Sequence, residues 1–153
     1  MNPQRWLVTG ANGQLGGHVL QQLTAQTSPN TILALCGRSK PPTTGISAEQ
    51  IDLRDTERVR TTLRSFAPTH VLHLGAMTAV GDAYNNPDDA ERINLGATAT
   101  IAATCAELGA RLVYTSTDMV FDGNSAPYTE TDAPRPVSIY GHTKLAGEKA
   151  VLA

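Results

Sequence analysis

A tyrosine and a lysine near the end of the chain have the spacing that proton transfer needs. Tyr140 and Lys144 are four residues apart, so on a helix they share one face. An ammonium close to a phenol favours the phenolate and so helps the phenol to release its proton. A carbonyl carbon that receives a hydride becomes an alkoxide, and such a tyrosine is a suitable general acid for it. The pair indicates carbonyl reduction, although so short a pattern also occurs by chance on surface helices.

A glycine loop near the N-terminus indicates the cofactor class. Gly10, Gly13 and Gly16 follow a short apolar run and precede a helical pattern. Glycine permits a tight turn and lets backbone N–H groups approach a pyrophosphate. Three glycines also coincide by chance, but the strand before them and the helix after them are the context that the motif requires. The predicted dinucleotide-binding loop comprises Gly10, Asn12, Gly13, Gln14, Leu15 and Gly16.

The end of the second apolar run discriminates between two cofactors. A carboxylate there would accept a hydrogen bond from the ribose 2′-hydroxyl of NAD(H). The chain instead has Arg38, which can pair with the 2′-phosphate of NADP(H). NADP(H) is therefore the preferred cofactor, with NAD(H) as the alternative, unless Arg38 is a solvated loop residue. Asp52 and Leu53 are expected at the adenine edge, unless Asp52 only caps a turn.

These residues follow apolar runs that alternate with helical patterns. The runs predict strands at residues 6–9, 31–36, 70–74 and 111–116, and residues 50–53 are a short third strand or the end of one. A strand that is apolar throughout, as in the second run, is typical of a parallel sheet covered on both faces. The alternation predicts an α/β fold with a doubly wound parallel sheet. In such sheets ligands bind at the carboxyl ends of the strands.

Helical spacing recurs between the strands. The apolar faces are formed by Leu15, Val19 and Leu23, by Val59, Leu63 and Phe66, and by Ile93, Ala97, Ile101, Cys105 and Leu108. Asp55 is expected to cap the second of these helices, and Gly109 to end the third. A last helix is expected from about Val137. The Pro- and Gly-containing stretches 37–47, 79–88 and 118–136 are expected to be loops.

Composition excludes several classes of function. The 153 residues carry a net charge of -2, which argues against a nucleic-acid binder and against a polybasic membrane-surface module. No apolar run approaches the roughly 20 residues of a spanning helix. Two cysteines make neither a disulfide framework nor a four-thiolate metal site. His70 and His73 would face opposite sides of a strand, so they cannot both bind one metal ion. We therefore expect one cytoplasmic domain without a metal site.

Three stretches resemble the extended short-chain dehydrogenase/reductase superfamily, and within it the dTDP-4-dehydrorhamnose reductase group. They are residues 9–16, 116–123 and 140–148, and the resemblance extends over essentially the whole chain. It implies that residues 1–153 form an NAD(P)-binding Rossmann domain. It also implies that Thr117 hydrogen-bonds the substrate carbonyl, that Tyr140 donates the proton and that Lys144 assists it and holds the nicotinamide ribose. Gly75 and Ala76 would line the path of the cofactor.

Some positions qualify this resemblance. Related 4,6-dehydratases have an Asp-Glu pair where this chain has Asp118 and Met119. The missing glutamate disfavours water elimination and leaves simple carbonyl reduction. Met119 also replaces the aromatic residue usual in the reductase group. Asn94 matches a structural asparagine of the superfamily, or is equally a buried residue satisfied by backbone groups.

Members of this group continue beyond the helix in which this chain ends. The chain is therefore expected to be an N-terminal half, truncated before the last strands and the substrate domain, with most of the cofactor site and little of the substrate site. The leading hypothesis is an NAD(P)H-dependent oxidoreductase that reduces the 4-keto group of a nucleotide-activated deoxysugar, with a homodimer as its expected assembly. The alternatives are an NAD-dependent sugar-nucleotide epimerase and a non-catalytic dinucleotide-binding regulatory subunit.

Overall fold

The centre of the fold is a parallel sheet of five strands in the order β3-β2-β1-β4-β5. The computed structural model describes residues 4–37, 39 and 45–153. The strands are β1 (Trp6–Thr9), β2 (Ile32–Cys36), β3 (Ser47–Gln50), β4 (His70–His73) and β5 (Arg111–Tyr114). The chain runs outward from β1 to one edge and then returns to the other side of β1 through β4. This order confirms the predicted doubly wound sheet and places its switch point between β1 and β4.

Helices cover both faces of the sheet. They are α1 (Gln14–Gln26), α2 (Thr56–Phe66), α3 (Val80–Asn85), α4 (Pro87–Glu91), α5 (Thr98–Leu108) and α6 (Ile139–Leu152), with a π-helical segment at Arg92–Ala97. No helix in the described part of the chain is long and apolar enough to cross a membrane. The predicted caps are confirmed: Asp55 accepts a hydrogen bond from the N–H of Arg58 at the start of α2, and Gly109 ends α5 in a left-handed conformation.

Two apolar clusters hold these helices against the sheet. Successive strand residues point to opposite faces, so Leu7 lies in one cluster and Val8 in the other. The Leu7 cluster packs α2 and α5 on one face through Val59, Leu63, Ile101 and Cys105. The Val8 cluster packs α1 on the opposite face through Leu20. All five residues of β2 are buried, as its apolar run predicts.

Residues 50–53 were predicted to form the third strand or its end, and only the first of them, Gln50, belongs to the strand, as its last residue. The strand is Ser47–Gln50 and begins at the last residue of the predicted loop. It is an edge strand that pairs only with β2 in the described sheet, and most of its side chains are exposed. Such a strand needs few apolar residues, so hydropathy does not reveal it. Ile51, directly after the strand, is fully buried and accounts for the misplaced apolar run.

The predicted loop at 79–88 is wrong, because it contains α3 and the start of α4. Gly81 and Pro87 indicated a break in the chain. Pro87 instead occupies the first position of α4. Proline is tolerated there because an N–H at this position would have no acceptor within the helix. Ala83 and Ala90 of these helices pack with Tyr140 in a third apolar cluster. The missed helices therefore form part of the support for Tyr140.

Candidate active site

The glycine loop connects β1 to α1 through backbone contacts that exclude side chains. Gly10 has φ +64, and a Cβ there would lie 2.7 Å from the amide nitrogen of Gly75. A Cβ on Gly16 would lie 2.3 Å from the carbonyl oxygen of Gly10. The N–H of Gly13 donates to that same carbonyl at 2.9 Å. The loop is therefore a tight turn pressed against the end of β4.

The N-terminus of α1 is open towards the solvent beside this loop. Its cap residue, Gly13, has no side chain, and the first turn of the helix carries no acidic residue. The free N–H groups and the helix dipole make such an end favourable for an anion. Asn12 Nδ2 donates to Ser39 Oγ at 3.1 Å, which links the loop to the segment after β2. Arg38 itself lies outside the described residues.

Leu15 corrects one prediction made for α1. The spacing placed it on the same apolar face as Val19 and Leu23, and those two residues do pack into the core. The side chain of Leu15 is 53% exposed and lines a cavity beside the glycine loop. The first turn of α1 thus presents an apolar side chain to the site instead of to the core.

The cavity, of about 470 Å³, lies at the carboxyl ends of β1, β4 and β5. Its lining contains the predicted residues Gly10, Asn12, Gly13, Gln14, Leu15, Gly16, Gly75, Ala76, Tyr140 and Lys144. The lining also contains four residues that were not predicted as site residues: Leu74, Thr78, Thr115 and Ser116. Three of them directly flank a predicted site residue or follow a strand, and that position is the signal that could have found them, whereas Thr78 lies two residues beyond Ala76. Two motifs more than 120 residues apart in the sequence thus face one space.

Tyr140 and Lys144 enter this cavity from the first turns of α6. Ser138 caps the helix by accepting a hydrogen bond from the N–H of Gly141 at 3.0 Å. Tyr140 is 8% exposed and Lys144 is 2% exposed. Lys144 Nζ donates to the carbonyl oxygen of Thr115 at 2.6 Å. Burial lowers the pKa of Lys144 to about 8.

Thr117 lines a neighbouring cleft and not the glycine-loop cavity. This cleft has a volume of about 490 Å³, and Asp118 and Glu148 also line it. Thr117 Oγ1 accepts from the N–H of Met119 and donates to Asp118 Oδ1, each at 3.2 Å. Ser116 lines the first cavity, so two consecutive residues face the two spaces.

Asn94 ties the end of β4 to α6 from the π-helical segment. Its Oδ1 accepts from the N–H of Met77 at 2.9 Å, and its Nδ2 donates to the carbonyl oxygen of Met77 at 3.2 Å. Nδ2 also donates to Thr143 Oγ1 at 3.0 Å. Asn94 is therefore a buried residue satisfied largely by backbone groups, which was one of its two predicted roles, and it also fixes the helix that carries Tyr140.

Asp52 and Leu53 do not line the cavity. Asp52 Oδ1 accepts from the N–H of Arg54 at 2.9 Å, and the Arg54 guanidinium holds the pKa of that carboxyl below its usual range. Arg54 also donates to Asp89 Oδ2 at 2.7 Å, which joins this turn to α4. Leu53 lies beneath Gly75, because a Cβ on Gly75 would fall 2.9 Å from Leu53 Cδ1. The geometry agrees with the predicted turn cap at Asp52.

A buried histidine links the glycine loop to the π-helical segment. Thr98 Oγ1 donates to the carbonyl oxygen of Asn94 at 2.7 Å, so it accepts from His73 Nε2 at 2.9 Å. Thr9 Oγ1 accepts from the N–H of Gly75 at 3.0 Å and donates to His73 Nδ1 at 2.7 Å. In a neutral ring that carries its proton on Nε2, Nε2 donates to Thr98 Oγ1 and Nδ1 accepts from Thr9 Oγ1, so both hydrogen bonds are satisfied. The hydrogen bonds therefore select this tautomer of His73.

The buried ring makes stability depend on pH. Burial, with a smaller effect from the Lys144 ammonium, lowers the pKa of His73 to about 3 from 6.5. Between these values the unfolded chain binds more protons, so acidification favours unfolding. We expect the free energy of unfolding to fall by about 2 kcal/mol between pH 7 and pH 5 through this group. Urea unfolding at both pH values measures it, with His73→Gln expected to lose most of this dependence.

The exposed His142 provides the matched control for this measurement. His142→Gln removes a histidine that lies on the surface of α6 and is expected to retain the pH dependence of the wild type. An equal loss of pH dependence in both variants would contradict the assignment to His73.

The chain matches one family model, described as RmlD substrate binding domain, over residues 4–153. It is 40% identical to methionine adenosyltransferase 2 subunit beta of Mus musculus, covering 97% of this chain and 43% of that protein. It is 37% identical to a dTDP-4-keto-6-deoxy-D-glucose reductase of Streptomyces niveus, covering 97% of this chain and 47% of that protein. The chain thus spans about half the length of these curated relatives.

A solved structure shares this architecture. The dTDP-4-dehydrorhamnose reductase of Bacillus anthracis in complex with NADP matches with a TM-score of 0.78 and 31% identity. The match covers 99% of this chain and 50% of that one.

The part of the chain that the structure describes contains no cluster of three or more His, Cys, Asp or Glu side chains placed to hold a metal ion.

Proposed function

Because the chain belongs to the RmlD substrate-binding-domain family, we propose that it is the dinucleotide-binding domain of a reductase. The reductase would use NADP(H) to reduce the 4-keto group of a nucleotide-activated deoxysugar. The observation that carries the proposal is the single cavity that joins the glycine loop to the buried Tyr140 and Lys144. The chain spans about half of its relatives, so the activity, the substrate, a homodimer and a cytoplasmic location all belong to the proposal.

The residues present fit a nicotinamide dinucleotide. The open N-terminus of α1 suits a pyrophosphate, since no capping side chain and no acidic residue compete for its N–H groups. Gly13 and Gln14 would approach the phosphates from this end. Leu15 and Ala76 offer apolar contacts within the same cavity. Lys144 contributes an ammonium suited to the hydroxyls of a ribose.

The chemistry that follows is carbonyl reduction with proton transfer from the protein. When bound, the reduced nicotinamide supplies the hydride that the keto carbon needs. Tyr140 donates its phenolic proton to the keto oxygen, which becomes a hydroxyl. Lys144 stabilises the phenolate that remains until solvent returns a proton. Thr117 lines the neighbouring cleft, so it would orient the keto oxygen only after its hydroxyl releases Asp118 and turns toward Tyr140.

The cofactor preference is proposed from Arg38. We expect NADPH to bind this chain more tightly than NADH, because a guanidinium pairs with a 2′-phosphate through charge-assisted hydrogen bonds. Arg38→Asp is expected to reverse the preference, since the carboxylate repels the phosphate and accepts from a ribose hydroxyl. Fluorescence titration with each nucleotide measures the affinity ratio, with Arg58→Asp on α2 as the control. An unchanged ratio in Arg38→Asp would contradict this role.

A second candidate is a dinucleotide-binding subunit of a larger assembly. The observation that favours it is the 40% identity to a protein named as the beta subunit of methionine adenosyltransferase 2. A full-length protein that contains this chain would then bind the dinucleotide, leave keto-sugars unreduced and copurify with a second polypeptide in fixed stoichiometry. Reduction of a keto-sugar by the purified protein alone favours the reductase.

A further inference from the structure

Tyr114, the last residue of β5, lies directly beneath Lys144. The Lys144 ammonium is 4.1 Å from the centroid of its ring. The Tyr114 hydroxyl donates to the backbone carbonyl of Lys144 at 3.4 Å. On its other side the ring lies 5.5 Å from that of His73, centroid to centroid. The sequence predicted only that Tyr114 lies within the strand at residues 111–116.

The backbone of α6 determines where this ring lies. A Cβ on Gly147 would come within 2.5 Å of the Tyr114 hydroxyl oxygen and 2.9 Å of the carbonyl oxygen of Asn94. Only glycine at this position lets α6 close over the tyrosine. The ring is therefore confined between β4 and α6, with a face left for the ammonium.

Lys144 needs such a neighbour because its charge is buried. Its ammonium has three N–H donors, and one of them is used by the carbonyl of Thr115. Among the described residues, no carboxylate lies within ion-pair distance of it. Burial lowers the pKa of Lys144 to about 8, and Glu148 acts in the opposite direction. The face of an aromatic ring is negative and attracts a cation most strongly where water is excluded.

We propose that Tyr114 is a positioning residue, whose ring holds the Lys144 ammonium charged and directed into the glycine-loop cavity. The inference deepens the proposed function, because it assigns the support of the cation that would contact the ribose. The ionisable groups that face Lys144 are Glu148 and Tyr140 on α6, Tyr114 on β5 and His73 on β4. His73 is neutral in this network, and Glu148 is held by the Ser116 hydroxyl.

Two substitutions separate the ring from the hydroxyl. Tyr114→Phe keeps the aromatic face, whereas Tyr114→Leu removes it. The chain has only three lysines, Lys40, Lys144 and Lys149, so NMR of chain labelled at lysine Cε follows each titration, and Lys144→Met assigns the signal. We expect the pKa of Lys144 to stay the same in Tyr114→Phe and to fall by about 1 in Tyr114→Leu.

Binding of NADPH gives a second readout. At pH 6 the affinities of wild type and Tyr114→Leu are expected to agree within about twofold, and at pH 8 the variant is expected to bind several-fold more weakly. Tyr114→Phe should follow the wild type at both pH values. A purely structural defect would instead weaken binding equally at every pH. Tyr84→Leu, at a tyrosine that is 74% exposed on α3, is the control.

The two readouts distinguish failure of this inference from failure of the proposed function. If the wild type binds no dinucleotide, the proposed function fails, while the lysine titration still tests Tyr114. The inference is overturned if Lys144 titrates identically in wild type and Tyr114→Leu, or if Tyr114→Phe lowers its pKa as much as Tyr114→Leu does. If the leucine variant does not fold, Tyr114→Met fills a similar volume without an aromatic face and carries the same expectation.

Discussion

Gly16→Ala is expected to weaken dinucleotide binding by this chain at least about tenfold. The new methyl group would lie 2.3 Å from the carbonyl oxygen of Gly10 and 2.8 Å from Cα of Ala11. Both obstacles are backbone, and Gly10 cannot retreat because it is already pressed against Gly75. The turn must therefore open and carry the first N–H groups of α1 away from the pyrophosphate position. Fluorescence titration with NADPH measures the loss.

The next residue along the chain is the matched control. A Cβ on Gly17 meets no atom within 4 Å, so Gly17→Ala should bind NADPH as the wild type does. Alanine within a helix is also expected to raise the free energy of unfolding by about 0.5–1 kcal/mol. Circular dichroism shows whether each variant is folded. A Gly16→Ala chain that is folded and retains full affinity would show that the turn does not form the binding site.

Tyr140→Phe is expected to lower turnover of a full-length protein containing this chain by at least about 100-fold. Phenylalanine preserves the ring among Ala83 and Ala90 but has no proton for the keto oxygen. The affinity for NADPH should stay within about twofold, because the hydroxyl is one atom of a large cavity. Consumption of NADPH with a 4-keto-sugar nucleotide measures turnover, and fluorescence titration measures binding.

His142→Asn is the control for that experiment, since His142 is exposed two residues further along α6. Full turnover in Tyr140→Phe would refute the role of Tyr140 as the proton donor. Parallel losses of turnover and of cofactor affinity would instead indicate that the substitution disturbs the site as a whole. A wild-type protein without turnover would favour the subunit over the reductase.

Sequence patterns predict the parts of this fold in which local chemistry decides the structure. The run of β2 is buried on both faces and is apolar throughout, so hydropathy locates it. β3 is predicted only at its last residue and α3 is not predicted at all, for a common reason. β3 is a polar edge strand, and α3 is a six-residue helix with too few turns for a periodicity to emerge. Contacts with neighbouring elements, which the local sequence does not contain, decide both.

The site divides in the same way. The spacing of Tyr140 and Lys144, like that of the glycines, is a local property of the sequence. Both motifs were therefore predictable as parts of one cofactor site. The structure places both in the lining of one cavity. The support of Lys144 by Tyr114 depends on how α6 lies over β5. The tautomer of His73 depends on hydroxyl groups 64 and 25 residues away in the chain. Such contacts arise only once the strands have been assembled.

The buried ammonium of Lys144 sets the proposed ligand binding of this domain against its thermal stability. Burial lowers the pKa of this ammonium to about 8, so keeping it charged costs the folded state free energy that an apolar side chain of similar length would not cost. Selection for thermal tolerance alone would therefore tend to discard this lysine. If the chain binds a dinucleotide as proposed, variants evolved for thermal stability that carry an apolar residue at position 144 are expected to bind it more weakly.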